Sequence, residues 1–133
     1  MRIAVVDDIA SEREILKTRL KAQLARLSLA AVISDFASGR EFLSAAKKER
    51  FDLVFLDIYM ENENGMDTAE TLRRFDTDCL LVFTTSSTDH ALEGFRVRAL
   101  HYLVKPYTDT ELTALFDEIV KRIPSQDRYI EVN

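Results

Sequence analysis

The chain has 133 residues, 47% of them hydrophobic, and a formal net charge of -5. That length predicts one domain with a normal core, and the acidic balance excludes a domain that binds nucleic acid by neutralising phosphates. No apolar stretch approaches the roughly 18 residues of a membrane span, the N-terminus carries no signal-peptide h-region, and Cys79 has no partner for a disulfide, so a cytoplasmic protein is expected.

The first apolar run, "IAVV" at 3–6, reads as a buried strand that ends on two adjacent acids, Asp7 and Asp8. Leu16, Leu20, Leu24 and Leu27 then recur at spacings of four and three, one face of a helix, with Ser11 and Glu14 as a capping box ahead of it. "AVISDF" (31–36) is a second strand, and a second box, Ser38/Glu41, precedes "FLSAAKK". The third strand, "LVFL" (53–56), ends on Asp57, and residues 66–75 have helical composition with Gly65 as the turn before them. "LLVF" (80–83) is followed by Thr84 and Thr85. Residues 88–97 are expected to be helical although Gly94 costs about 1 kcal/mol there relative to Ala. "YLV" (102–104) leads to Lys105 and Pro106. A third box, Thr108/Glu111, opens a helix whose apolar face carries Leu112, Leu115, Phe116, Ile119, Val120 and Ile123. From Pro124 the pattern breaks: "PSQD" reads as a linker and "RYIEV" as a strand, either at an edge of this domain or opening a further one.

Strand and helix alternate five times. This predicts an α/β fold, a doubly wound five-stranded parallel sheet with helices on both faces. Ligands of such sheets bind outside the carboxyl ends of the strands, where Asp7, Asp8, Asp57, Thr84 or Thr85, and Lys105 all fall. Any one of these alone reads as a turn cap or a solvated side chain. Together, three acids near the sheet centre repel unless a cation joins them, and hard oxygen donors without His or Cys point to Mg²⁺. His90 and His101 lie on other segments. Such a site invites phosphate chemistry, in which metal, ammonium and hydroxyl offset charge on phosphoryl oxygens. The three glycines form neither GxxxxGK[ST] nor GxGxxG, which argues against nucleotide binding. An aspartate that itself accepts a phosphoryl group remains.

"VVDD", "VFLDIYMENENG", "VFTTS" and "HYLVKP", in that order and spacing, resemble the receiver domain of bacterial two-component response regulators over residues 1–123. The resemblance implies a flavodoxin-like receiver topology with strand order 2-1-3-4-5 and phosphorylation of Asp57 by a sensor histidine kinase. It also implies Mg²⁺ held by Asp7, Asp8 and Asp57 with the Tyr59 backbone carbonyl, Asp8 being the favoured ligand of the pair. Thr85, in preference to Thr84, and Lys105 would bind the phosphoryl group, Tyr102 would be the aromatic switch, and Lys105–Pro106 would be a cis peptide. Phosphorylation would reshape the face made by the fourth helix, fifth strand and fifth helix, allowing a homodimer to form. The family's Met-Pro after the phosphorylated aspartate is Met60-Glu61 here, and "ENEN" makes that loop more acidic. Ser86 replaces a usual Ala.

"FTTSSTDHALEGFRVRALHYLVKPY" resembles receivers joined to a LytTR-type DNA-binding domain. On that resemblance residues 124–133 are a linker and the start of a DNA-binding domain outside this chain, and output is transcriptional. Two rivals come from other classes. One is a receiver-like interaction module independent of phosphorylation, which has no need to keep all of Asp7, Asp8, Asp57, Thr85 and Lys105. The other is a phosphate-ester hydrolase, which commonly places a second acid two residues past its nucleophile, where this chain has Tyr59.

Overall fold

The computed structural model describes residues 1–87, 89, 93, 94 and 96–123. All five expected strands form: β1 (Arg2–Val6), β2 (Val32–Phe36), β3 (Leu53–Asp57), β6 (Leu80–Thr85) and β7 (His101–Val104). They pair in parallel in the order β2-β1-β3-β6-β7, which is the expected 2-1-3-4-5 once a small hairpin is set aside. That hairpin, β4 (Tyr59–Met60) with β5 (Glu63–Asn64), pairs antiparallel just after β3 and was read from sequence only as a polar loop.

Four helices are described: α1 (Ala10–Leu27), α2 (Gly39–Lys48), α3 (Gly65–Arg73) and α4 (Asp109–Arg122). Strand side chains alternate between two faces. On one, Ile3, Val5, Leu53, Phe55 and Val82 pack against Leu16, Leu20 and Leu24 of α1 and Leu112, Phe116 and Ile119 of α4. On the other, Ala4, Val6, Val54, Leu56, Leu81 and Phe83 pack against Phe42 of α2 and Met66, Ala69 and Leu72 of α3. β1 and β3 are apolar without alternation because they are covered on both sides. Most of the helix expected over 88–97 and the strand "RYIEV" lie outside the described residues.

The helix starts correct one reading. Ser11 and Glu14 are not a capping box: α1 begins at Ala10 with Ile9 at the N-cap and no side-chain cap. The Ile9 N–H instead donates to the Asp7 carboxylate at 2.9 Å, so an acid two residues earlier already serves the entry to the helix. The Thr108/Glu111 box is complete, and Ser38 accepts the Glu41 N–H at 3.1 Å. The two outer boxes therefore differ in consequence. Thr108→Ala is expected to lower unfolding free energy by about 1 kcal/mol, and Ser11→Ala to leave it unchanged, in paired urea titrations. Equal losses would restore the Ser11 cap.

Candidate functional site

The carboxyl ends of β1, β3, β6 and β7 meet at one edge of the sheet, and parallel register determines what they bring there. Strand partners in register point to the same face. Asp57 lies opposite Thr84, and Lys105 continues the face of Leu103, which joins the α1 and α4 side of the core. Asp7, Asp57, Thr84 and Lys105 therefore share one side of the sheet edge. Thr85 follows Phe83 and, like Tyr102, belongs to the opposite face.

Ligand oxygens of Asp7, Asp8 and Asp57 all lie within 4.8 Å of one another. Asp7 and Asp57 are buried, 5% and 3% exposed, and Asp8 is half-buried. The Lys105 ammonium stands 3.1 Å from Asp7 Oδ2 and 3.6 Å from Asp57 Oδ2. Backbone donors hold each acid: the Ile9 N–H on Asp7 at 2.9 Å, the Glu61 N–H on Asp8 at 2.7 Å and the Tyr59 N–H on Asp57 at 3.2 Å. Arg13 adds a hydrogen bond from its guanidinium to the Asp7 carbonyl at 2.9 Å while pairing with Asp35 of β2. Gly65 has a packing reason for lacking a side chain, since a Cβ there would lie 2.1 Å from the Asp57 carbonyl oxygen. It lets α3 start directly against the end of β3.

Electrostatics follow from this crowding. Burial, then the Asp7 and Asp8 charges, raises the Asp57 carboxyl from 3.8 to about 6, against the opposing pull of Lys105 and the Tyr59 N–H. Burial disfavours the Lys105 ammonium, but Asp57 and Asp7 outweigh it and hold its pKa above the ordinary value. The cluster is thus short of positive charge. Hard carboxylate oxygens from three acids within 4.8 Å of one another, with no His or Cys among them, are a donor set that suits Mg²⁺.

The remaining expected residues lie around this cluster. Thr85 is fully buried, and its hydroxyl accepts the Ser87 N–H at 3.3 Å. Tyr102 donates its hydroxyl to the Ser87 carbonyl at 2.8 Å and packs its ring on Phe83, so Thr85 and Tyr102 are linked through one residue. Tyr59 begins β4 with an exposed ring. Lys105–Pro106 is cis, as expected. Sequence reasoning missed the contacts of Glu61 and Arg13: the Glu61 backbone N–H donates to Asp8 and the Arg13 guanidinium to the Asp7 backbone carbonyl, and contacts that involve backbone atoms leave no side-chain motif.

Comparison with known proteins agrees with this geometry. The profile described as "Response regulator receiver domain" matches residues 3–117. The sensory transduction protein LytT of Enterococcus faecalis is 32% identical over 123 residues, 92% of this chain and 49% of that protein. The transcriptional regulatory protein YpdB of Escherichia coli is 26% identical over 119 residues, 90% of this chain and 47% of that protein. The chain thus spans about half the length of the curated relatives it matches. Among solved structures, the response regulator TrrA of Thermotoga maritima, in complex with Mg²⁺-BeF, superposes with a TM-score of 0.74 at 28% identity. It covers 89% of this chain and 97% of its own.

A raised carboxyl pKa in the folded state means that ionising Asp57 costs folding free energy. The cost is absent only well below the unfolded value of 3.8, grows as pH rises from there to the folded value of about 6, and is nearly complete at pH 7. In Mg²⁺-free buffer Asp57→Asn is therefore expected to stabilise the protein at pH 7 by on the order of 1–3 kcal/mol. The gain closes toward pH 4. Urea titrations of both proteins at the two pH values test this, and a variant no more stable at pH 7 would sink it.

Proposed function

The chain belongs to the response regulator receiver domain family, and from that premise we propose that it signals by accepting a phosphoryl group on Asp57 from a sensor histidine kinase. The observation that carries the proposal is the acid cluster itself: three carboxylates within 4.8 Å with one ammonium against two of them. Asp57 Oδ2, facing Lys105, would attack phosphorus. A P–O bond forms to the carboxylate and the P–N bond to the donor histidine breaks, its electron pair returning to the imidazole. With acetyl phosphate as donor, the bond broken is P–O and acetate leaves.

Asp7, Asp8 and Asp57 would hold Mg²⁺ together with the Tyr59 carbonyl. When bound, the ion supplies charge compensation for the phosphoryl oxygens. Lys105, freed from Asp57, would turn its charge to one phosphoryl oxygen, and Thr85 would donate its hydroxyl to another. Thr85 is favoured over Thr84 because it is the one joined through Ser87 to Tyr102. Drawing Thr85 toward the phosphoryl group loosens the Ser87 segment, which holds the Tyr102 hydroxyl, and so carries the change to β7 and α4. A homodimer across that face, with transcription controlled through a LytTR-type DNA-binding domain after residue 124, completes the proposal. It is supported by the resemblance of residues 83–107 to such receivers. Among the described residues no helix is long and apolar enough to cross a membrane.

Intact mass after incubation with acetyl phosphate, with and without Mg²⁺, tests the chemistry. One phosphoryl group should be gained only with Mg²⁺ and lost in Asp57→Asn; no gain in any condition, including with a phosphorylated kinase, would leave a phosphorylation-independent module. Lys105→Ala should slow the gain about a hundredfold. Thr85→Ala should still accept phosphate but lose the accompanying tyrosine fluorescence change, whereas Thr84→Ala keeps it. The reverse pattern would move the switch to Thr84.

A further inference from the structure

We infer that Glu63 is a positioning residue for the acid cluster, acting through the β4–β5 hairpin. The inference rests on the reading of Asp7, Asp8 and Asp57 as a divalent cation site. The hairpin is short, two residues per strand, with Tyr59 opposite Asn64 and Met60 opposite Glu63. A free hairpin of that length has no stability of its own, so its place is set by its attachments.

There are three. The Asn64 side chain accepts the Met66 N–H at 2.7 Å and thereby caps α3. The Glu63 carboxylate leaves the hairpin and takes two free donors at the start of α2, the Gly39 N–H at 2.9 Å and the Arg40 N–H at 3.2 Å. These are groups a helix cannot satisfy internally, at the end of the helix that favours negative charge. At the turn, Asn62 takes a left-handed φ of 60°, and the neighbouring Glu61 N–H points at Asp8 Oδ2, 2.7 Å away.

Only one residue, Asn62, separates the Glu63 anchor from the Glu61 donor. Fixing one end therefore places the other. Asp8 is the least buried of the three acids, so packing holds its carboxylate least and a fixed donor sets its aim most. The Glu61 N–H takes one oxygen of Asp8 and leaves the second for a cation. The first turn of α2 is itself firmly seated, since a Cβ on Gly39 would meet Thr68 Oγ1 of α3 at 2.1 Å. Glu63 thus ties the acid cluster to the packed α2–α3 layer. Without it the hairpin keeps its α3 attachment and the buried Met60, but the turn loses its tie to α2 and with it the fixed aim of the Glu61 donor on Asp8.

The test compares Mg²⁺ binding by calorimetry, on the whole chain, with urea unfolding in Mg²⁺-free buffer. Glu63→Ala should raise the Mg²⁺ Kd about tenfold, within the range for groups that orient ligands from behind. It should also remove the Mg²⁺-induced shift of the Glu61 amide in proton–nitrogen spectra. Glu63→Gln, which keeps one acceptor oxygen, should fall between Glu63→Ala and the parent. Ser38→Ala is the control: it removes the other cap of α2 and should lower the urea midpoint while leaving Kd unchanged. A Glu63→Ala variant that binds Mg²⁺ like the parent overturns the inference, as does Ser38→Ala weakening binding equally. A parent chain that binds no Mg²⁺ overturns the cation-site reading and this inference with it.

Discussion

Repulsion among three carboxylates is the constraint around which this sheet edge is built. A pair of like charges about 4 Å apart repels by about 4 kcal/mol at an effective dielectric of 20, and a whole domain is stable by only about 5–15 kcal/mol. Asp7, Asp8 and Asp57 nevertheless converge, because β1 and β3 are adjacent central strands and the registered parallel pairing leaves their carboxyl ends side by side. The fold answers with one ammonium and one backbone N–H per acid. Burial, with the remaining Asp7 and Asp8 charges, still raises the Asp57 carboxyl to about 6. A site held together at such a cost is one that a divalent cation would relieve.

The "ENEN" run shows how much of that compensation comes from residues with no chemistry of their own at the site. Glu61 contributes an N–H to Asp8, which a proline at that position lacks. Asn62 takes the left-handed turn that asparagine tolerates. Glu63 caps α2 and Asn64 caps α3. Four consecutive polar residues thus tie the end of β3 to both helices of one layer and to the acid opposite.

The parts of this structure that were legible in the sequence are those with a strong period or a side chain at a strand end. All five strands and the apolar faces of α1 and α4 follow from burial on a pleated or helical period, and the acids, Lys105 and the threonines follow from where the apolar runs stop. What escaped was carried by backbone atoms or by competition between equivalent signals. Ser11 and Glu14 match a capping box, yet Asp7 already accepts the N–H at the start of α1, so the motif has no role there. The hairpin escaped because its strands are two residues long, too short for alternation to show. Thr84 and Thr85 are adjacent, so spacing alone cannot separate them; the sheet places them on opposite faces, Thr84 on the side of Asp57 and Thr85 on the side of Tyr102.

That separation matters for how the proposed signal would travel. With all four groups ionised, Asp7, Asp8, Asp57 and Lys105 leave two negative charges unbalanced, and an acyl phosphate on Asp57 would add up to one more. The added charge is useful only if something responds to it differently from a bare carboxylate. Thr85 is suited to that, because its hydroxyl accepts the Ser87 N–H at 3.3 Å and can still donate its own proton to a phosphoryl oxygen. Hydrogen bonds to charged groups are worth about 1.5–3 kcal/mol each, and moving a two-state equilibrium from 1:99 to 99:1 takes about 5.5 kcal/mol. Two such contacts, one from Thr85 and one from Lys105, reach about that scale; one alone does not. The proposed switch would therefore require both strand ends, β6 and the residue after β7, to move together. The Ser87 carbonyl held by Tyr102 of β7 would be the connection between them.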